Sequence, residues 1–243
     1  MPAQQEVTTI EPAKENLKTK AYQTIKDRIL TCEYGPNMNL TEAFLLDDTG
    51  LSRAPIRDAI SRLEQERLIT VMPKKGMRVS DVEISDINTI YETRNLIEVF
   101  VIRRYGVSIG TRELLEIRQQ FKSLQQAHAP GEPLTTAKRK EMYDLDNRFH
   151  DHIIKSSGNV YLIMAMEHIN NQNTRLRALT AVDPQRLSES HEEHISIINQ
   201  LLDNQYEAAA QAMEQHLTSF RNAAFEAIVK NGGWELPNKR GDQ

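Results

Sequence analysis

The chain has 243 residues, with 30 Lys and Arg against 34 Asp and Glu, a formal net charge of -4 and a single cysteine, Cys32. That length accommodates two domains, each with its own core, and one cysteine excludes an intramolecular disulfide framework. No stretch approaches the roughly 20 apolar residues of a membrane span, and Gln4, Gln5 and Glu6 interrupt any signal-peptide pattern, so the expected location is the cytoplasm, away from the membrane.

Residues 1–15 show no apolar periodicity and read as a flexible arm. Leu17, Tyr22, Ile25, Ile29 and Leu30 then recur at helical spacing up to Tyr34-Gly35-Pro36, and Cys32 is expected as a packed thiol in this apolar first helix. A second short helix, with Phe44, Leu45 and Leu51 supplying apolar contacts, ends at the Gly50-Leu51 turn. Ser52 is placed to cap a third, with Pro55 in its first turn, where a missing N–H does little harm. Ile56, Ile60 and Leu63 form the buried stripe of that helix, so Arg53 and Arg57, one turn apart near its N-terminus, point outward.

Two guanidinium groups at a helix N-terminus suit a major groove, because arginine can bond two acceptors on guanine while terminal amides approach phosphate. After Leu68, the alternation Ile69 to Met72, the turn Pro73-Lys74-Lys75-Gly76 and Met77 to Val79 read as a two-stranded wing with a cationic tip. Between residues 50 and 80 there are seven Lys or Arg, including Arg62, against three acids. Positive charge in a net acidic chain is thus concentrated on one motif, the footprint of a double-stranded DNA partner.

The run Ser52-Arg53-Ala54-Pro55-Ile56-Arg57-Asp58-Ala59, followed by the wing Pro73 to Gly76, resembles the GntR family of bacterial transcription regulators. The likeness covers residues 16–80 and implies a winged helix-turn-helix in which Ser52, Arg53, Pro55, Arg57, Lys75 and Gly76 face an operator; the clustered charge adds Arg62 to the DNA-facing set.

Beyond the wing the chain reads as entirely helical, with helices at about 84–106, 111–127, 134–156, 160–182, 187–202 and 205–230. Residues 81–230 therefore form a second domain, and 231–243 a polar tail in which Trp234 is a docking contact. In the third of these helices Met142, Leu145, Phe149, Ile153 and Ile154 mark the buried face, and Asp146 and His150 share it four residues apart, a separation that suits two metal ligands. Asp151 and His152 fall outside that stripe. If Asp203 to Gln205 closes an antiparallel hairpin, His194 and His216 lie about eleven residues to either side and stand level, each on an apolar stripe. His191, one turn before His194, fits that geometry nearly as well. An Asp with three imidazoles suits Zn first, with Ni, Mn or Fe also matched, and leaves positions for a ligand oxygen.

The Asp-x-x-x-His pair, a later His and a final His 22 residues on resemble the FCD effector domain of the FadR subfamily of GntR regulators. The resemblance selects His194 over His191 and implies a six- or seven-helix antiparallel bundle around a metal held by Asp146, His150, His194 and His216, with a small effector beside it. Arg94 and Glu98 both fall on the apolar face of the first bundle helix. Taken alone they fit either a structural ion pair or an arginine that grips a carboxylate; the family's frequent arginine at this place favours the grip. Asn173, in line with Leu162, Met166, Ile169 and Leu176, is a second candidate for the effector site.

The fold expected is mainly α, a winged helix-turn-helix followed by a helical bundle. The function expected is a homodimeric DNA-binding regulator, read as a repressor, that answers to a small organic acid. The rivals are a metal-dependent enzyme, which lacks a spare carboxylate for a general base here, and a DNA-binding protein with a purely structural metal.

Overall fold

The computed structural model describes residues 13–73, 76–127, 135–180 and 184–230. The chain divides into two compact units, Met1–Asp81 and Val82–Gln243.

In the first unit α1 (Ala13–Leu30), α2 (Glu42–Thr49) and α3 (Arg53–Gln65) pack with a small antiparallel sheet. Helix α1 begins at Ala13, three residues earlier than its apolar stripe suggests, and only residues 1–12 of the expected arm lie outside the described residues. Cys32 is buried, but it follows α1 instead of belonging to it and has a left-handed backbone, φ 57°. The sheet is a further correction. To the expected wing strands β2 (Ile69–Met72) and β3 (Gly76–Val79) it adds β1 (Asn39–Leu40), paired to β3 in the order β1-β3-β2. Two residues are too few to show a period of two, so this strand left no pattern to read.

Ala21, Ile25, Ile29, Leu40, Leu45, Ile56, Ala59, Leu63, Leu68 and Val79 form the core of this unit, each 1% exposed or less. Thr41 caps α2, its side chain accepting the Phe44 N–H at 3.0 Å. Ser52 occupies the corresponding position before α3, yet its side chain makes no capping hydrogen bond. Gly76 opens β3 at φ 91°, and a Cβ there would stand 3.2 Å from the Leu40 carbonyl oxygen, so the wing needs glycine at this point.

The second unit contains, among the described residues, α4 (Ile84–Tyr105), α5 (Thr111–Gln126), α6 (Thr136–Lys155), α7 (Val160–Thr180), α8 (Pro184–Leu202) and α9 (Tyr206–Lys230). Helices α4 and α9 pack together most extensively; α8 lies along α9, and α6 touches α4, α5 and α7. Glu83 and Asp86 form a capping box before α4, where Asp86 accepts the Glu83 N–H at 2.7 Å. A one-turn 3-10 helix at Gly106–Ser108 follows α4, and a Cβ on Gly106 would fall 2.4 Å from the Tyr206 ring, so glycine lets α9 approach closely.

The α6 stripe is buried as its periodicity requires: Met142, Leu145, Phe149, Ile153 and Ile154 all lie in the core, and so do Asp146 and His150. The α8–α9 hairpin turns at residues 203–205, with Asn204 at φ 58°. His194 and His216 end up side by side across it. No described helix is long and apolar enough to cross a membrane.

Candidate metal centre and nucleic-acid surface

On the first unit Arg53 and Arg57 project from the start of α3 with 77% and 68% of their side chains exposed. Both face Glu42, the first residue of α2: Arg57 Nε donates to Glu42 Oε2 at 2.9 Å, and Arg53 Nε lies 3.9 Å from Oε1. This ion pairing and its hydrogen bond raise the Arg57 pKa further. Ser52 and Gly76 are also exposed.

The structure does not bring all the expected DNA-facing residues to this surface. Pro55 is buried, so it shapes the start of α3 and offers no side chain to a ligand. Arg62 lies nine residues after Arg53, half a turn away around the helix. Its guanidinium stacks 3.8 Å over the Tyr22 ring of α1. Lys75 lies outside the described residues.

In the second unit one donor atom each from Asp146, His150, His194 and His216 lies within 4.8 Å of the other three, and all four residues are buried. His194 Nε2 stands 3.2 Å from His216 Nε2, 3.3 Å from His150 Nε2 and 3.4 Å from Asp146 Oδ1, while His150 Nε2 to Asp146 Oδ1 is 3.8 Å. Four ligands bound at 2.0–2.1 Å in a tetrahedron stand roughly 3.3 Å apart. The spacing therefore matches donors arranged around a common ion.

The hydrogen bonds behind these atoms point the same way. His150 Nδ1 contacts Glu98 Oε2 at 2.5 Å, and Arg94 Nε donates to the other oxygen of Glu98 at 2.8 Å. His216 Nδ1 contacts Glu193 Oε2 at 2.7 Å, and Arg186 Nη2 donates to that same oxygen at 2.7 Å. With Nδ1–H donated to a carboxylate, each Nε2 is a lone pair aimed at the centre. Asp146 Oδ2 accepts from Arg177, which leaves Oδ1 toward the same point. His194 can donate one proton at most, so these buried acceptors cannot all be satisfied within the protein. A divalent cation fits them.

His194 is held differently. Its Nδ1 is buried without a hydrogen-bond partner, and its ring is fixed by stacking on Phe121 at 4.8 Å and by edge contact with Phe149 at 4.9 Å. His191 is also buried but lies against Phe121, outside the convergent four. His152 is spent on the Gly110 carbonyl at 3.1 Å.

Electrostatics favour deprotonated ligands. Burial, joined by the neighbouring His216, drives the His194 pKa well below the ordinary imidazole value, and burial lowers His216 against the pull of Glu193. Burial alone would raise the carboxyl pKa of Asp146, but Arg177 with His150 and His194 outweighs it and holds the group well below the usual range. Glu98 behaves likewise: desolvation opposes its charge, and Arg94 with His150 still brings the pKa to about 2.

Arg94 and Asn173 are both buried, at 3% and 1% exposure. Arg94 spends Nε on Glu98, and no described hydrogen bond engages its two Nη groups. Asn173 Oδ1 has no partner. Sequence reasoning missed Glu193, Arg177 and Arg186. Glu193 carried one usable signal, its place beside His194, but it lies in a charged run that reads as solvated.

These features coincide with known families. Residues 17–79 match the bacterial regulatory proteins of the gntR family, and residues 89–219, more than half the chain, match the FCD domain. The chain is 24% identical over 201 residues to the transcriptional repressor GlaR of Escherichia coli strain K12, covering 81% of this chain and 90% of that protein. It is 25% identical over 209 residues to the Nta operon transcriptional regulator of Aminobacter aminovorans, covering 86% and 94%. Among solved structures, E. coli McbR/YncC shares the fold with TM-score 0.72 at 18% identity, covering 86% of this chain and 97% of that one. The metal-free FCD domain of TM0439 aligns at 27% identity and TM-score 0.52, covering 61% and 97%. The chain belongs to the GntR family of bacterial transcription regulators, with the FCD domain as its C-terminal part.

Proposed function

We propose that this protein is a homodimeric repressor whose winged helix-turn-helix, residues 16–80, binds one half of a palindromic operator and whose bundle, residues 81–230, binds a divalent metal and a small carboxylate effector. The observation that carries this reading is the convergence of His150, His194 and His216 Nε2 with Asp146 Oδ1 in the FCD domain. Zinc suits three imidazoles and a carboxylate best, with nickel, manganese and iron also matched. A bound ion supplies a Lewis-acid position for a ligand oxygen. The free Nη groups of Arg94 supply a fork for the ligand's carboxylate, and Asn173 Oδ1 an acceptor for a hydroxyl.

On the operator side Arg57 and Arg53 reach base edges, while Ser52, Gly76 and the Lys75 wing tip lie along the phosphates. Effector binding changes operator affinity by as much as its own affinity differs between the two conformations of the regulator. Such a protein works beside DNA in the cytoplasm, and no enzymatic step is assigned to it.

A thermal-shift screen of metal-loaded protein against small organic acids, paired with operator titration, tests this reading. The expected result is at least one acid that raises the melting temperature and weakens operator binding. Stabilisation by an acid without any change in operator affinity contradicts regulation; a protein that binds operator and is stabilised by no acid in the screen has a purely structural metal.

A further inference from the structure

We propose that Glu42 is a specificity-determining positioning residue: by holding Arg57 at Nε it presents both Nη groups to one base pair of the operator. The inference rests on the reading of Arg57 as a base contact. Arg57 is 68% exposed, so its side chain unheld would sample many rotamers, yet Nε is engaged by Glu42 Oε2 at 2.9 Å and no other described hydrogen bond involves the side chain. A guanidinium held by one edge keeps its terminal edge available, and that edge carries the two parallel donors that match guanine O6 and N7. Pre-setting the fork removes part of the side-chain entropy that base recognition otherwise has to overcome.

Glu42 is suited to this because it does not come from the recognition helix. It is the first residue of α2, fixed by the Thr41 cap, and its side chain is only 30% exposed. Arg53, 3.9 Å from the other carboxylate oxygen, is held more loosely and so keeps a choice between phosphate and base. A carboxylate at this surface also repels phosphate, so it weakens nonspecific binding while sharpening the specific contact. The competing account is that Glu42 merely complements the positive end of the α2 dipole.

The test is titration of full-length protein and its variants against the operator, a set of duplexes with each base pair substituted in turn, and a random duplex. Wild-type protein should lose roughly 5- to 150-fold in affinity when the guanine read by Arg57 is replaced. Glu42→Gln should bind the random duplex at least as tightly as wild type and lose about three- to tenfold of the discrimination at that one position. Glu42→Asp keeps a charge at the α2 N-terminus but is too short to hold Nε, and should show the same loss with unchanged thermal stability.

An unaltered discrimination profile in both variants overturns the proposal, and so does a uniform loss across all duplexes, which assigns Glu42 to the fold. Arg57→Ala provides the separate control. If its profile equals wild type at every position, Arg57 is no base contact and the underlying reading fails; if Arg57→Ala flattens one position that the Glu42 variants leave intact, only the role of Glu42 fails.

Discussion

Two arginine–glutamate pairs of nearly equal length, Arg57–Glu42 at 2.9 Å and Arg94–Glu98 at 2.8 Å, lie in opposite environments. The first is 68% and 30% exposed, the second 3% and 0%. In each, arginine Nε meets the carboxylate and both Nη groups are left over. The exposed pair contributes little to folding, because water competes for both partners and salt screens them. The buried pair has no such alternative, so each charge depends on the other, and Glu98 also holds His150. Under the proposed reading, one geometry aims an arginine in the first case and, in the second, also supports a candidate metal ligand.

Breaking the buried pair should have the largest effect. Glu98→Ala strands Arg94 and releases His150, and a loss of about 3–5 kcal/mol of stability is expected by denaturant unfolding, together with loss of metal. If Glu98→Ala unfolds like wild type, the two pairs do not differ as burial requires. A narrower probe is Arg94→Lys, which keeps a cation for Glu98 but lacks the planar fork. It should fold, retain metal and bind operator, and lose at least about 1–3 kcal/mol of effector affinity by calorimetry. A normal effector response in Arg94→Lys would make the buried pair purely structural.

The exposed pair is sharpened on DNA. Arg57→Ala should weaken specific operator binding by roughly 1–3 kcal/mol and leave weak, salt-dependent binding to random DNA. Equal loss on both duplexes would turn Arg57 into a phosphate contact. The smallest effect expected is on folding: separating Arg57 from Glu42 by Glu42→Gln should leave the denaturant unfolding midpoint essentially unchanged. A larger loss would remove the contrast between the two pairs.

Much of this arrangement was legible in the sequence because helical periodicity is strong. Helical spacing puts Asp146 and His150 on the buried stripe of α6, and a hairpin about residues 203–205 brings His194 level with His216. Periodicity could not separate His191 from His194, since one helical turn moves a residue by only about 5.4 Å along the axis. Only tertiary packing separates them: both rings lie against Phe121, but His194 alone joins the convergent donors. Partners from other helices were equally invisible. Glu193 and Arg186 behind His216, Arg177 behind Asp146 and Glu42 beside Arg57 become neighbours only once the helices pack. On the recognition helix, outward charge suggested that Arg62 joined Arg53 and Arg57, whereas its angular position turns it toward Tyr22. The two-residue strand β1 had no period to reveal.

The most direct measurement is metal content per chain by elemental analysis, on protein purified without chelator and then exposed to zinc, for wild type and single histidine variants. Wild type should hold about one ion per chain, His150→Ala, His194→Ala and His216→Ala should each lose occupancy and thermal stability together, and His191→Ala and His152→Ala should keep the ion. A wild-type protein that remains metal-free after reloading, or a His191→Ala variant that loses the ion while His194→Ala retains it, contradicts the centre assigned to Asp146, His150, His194 and His216.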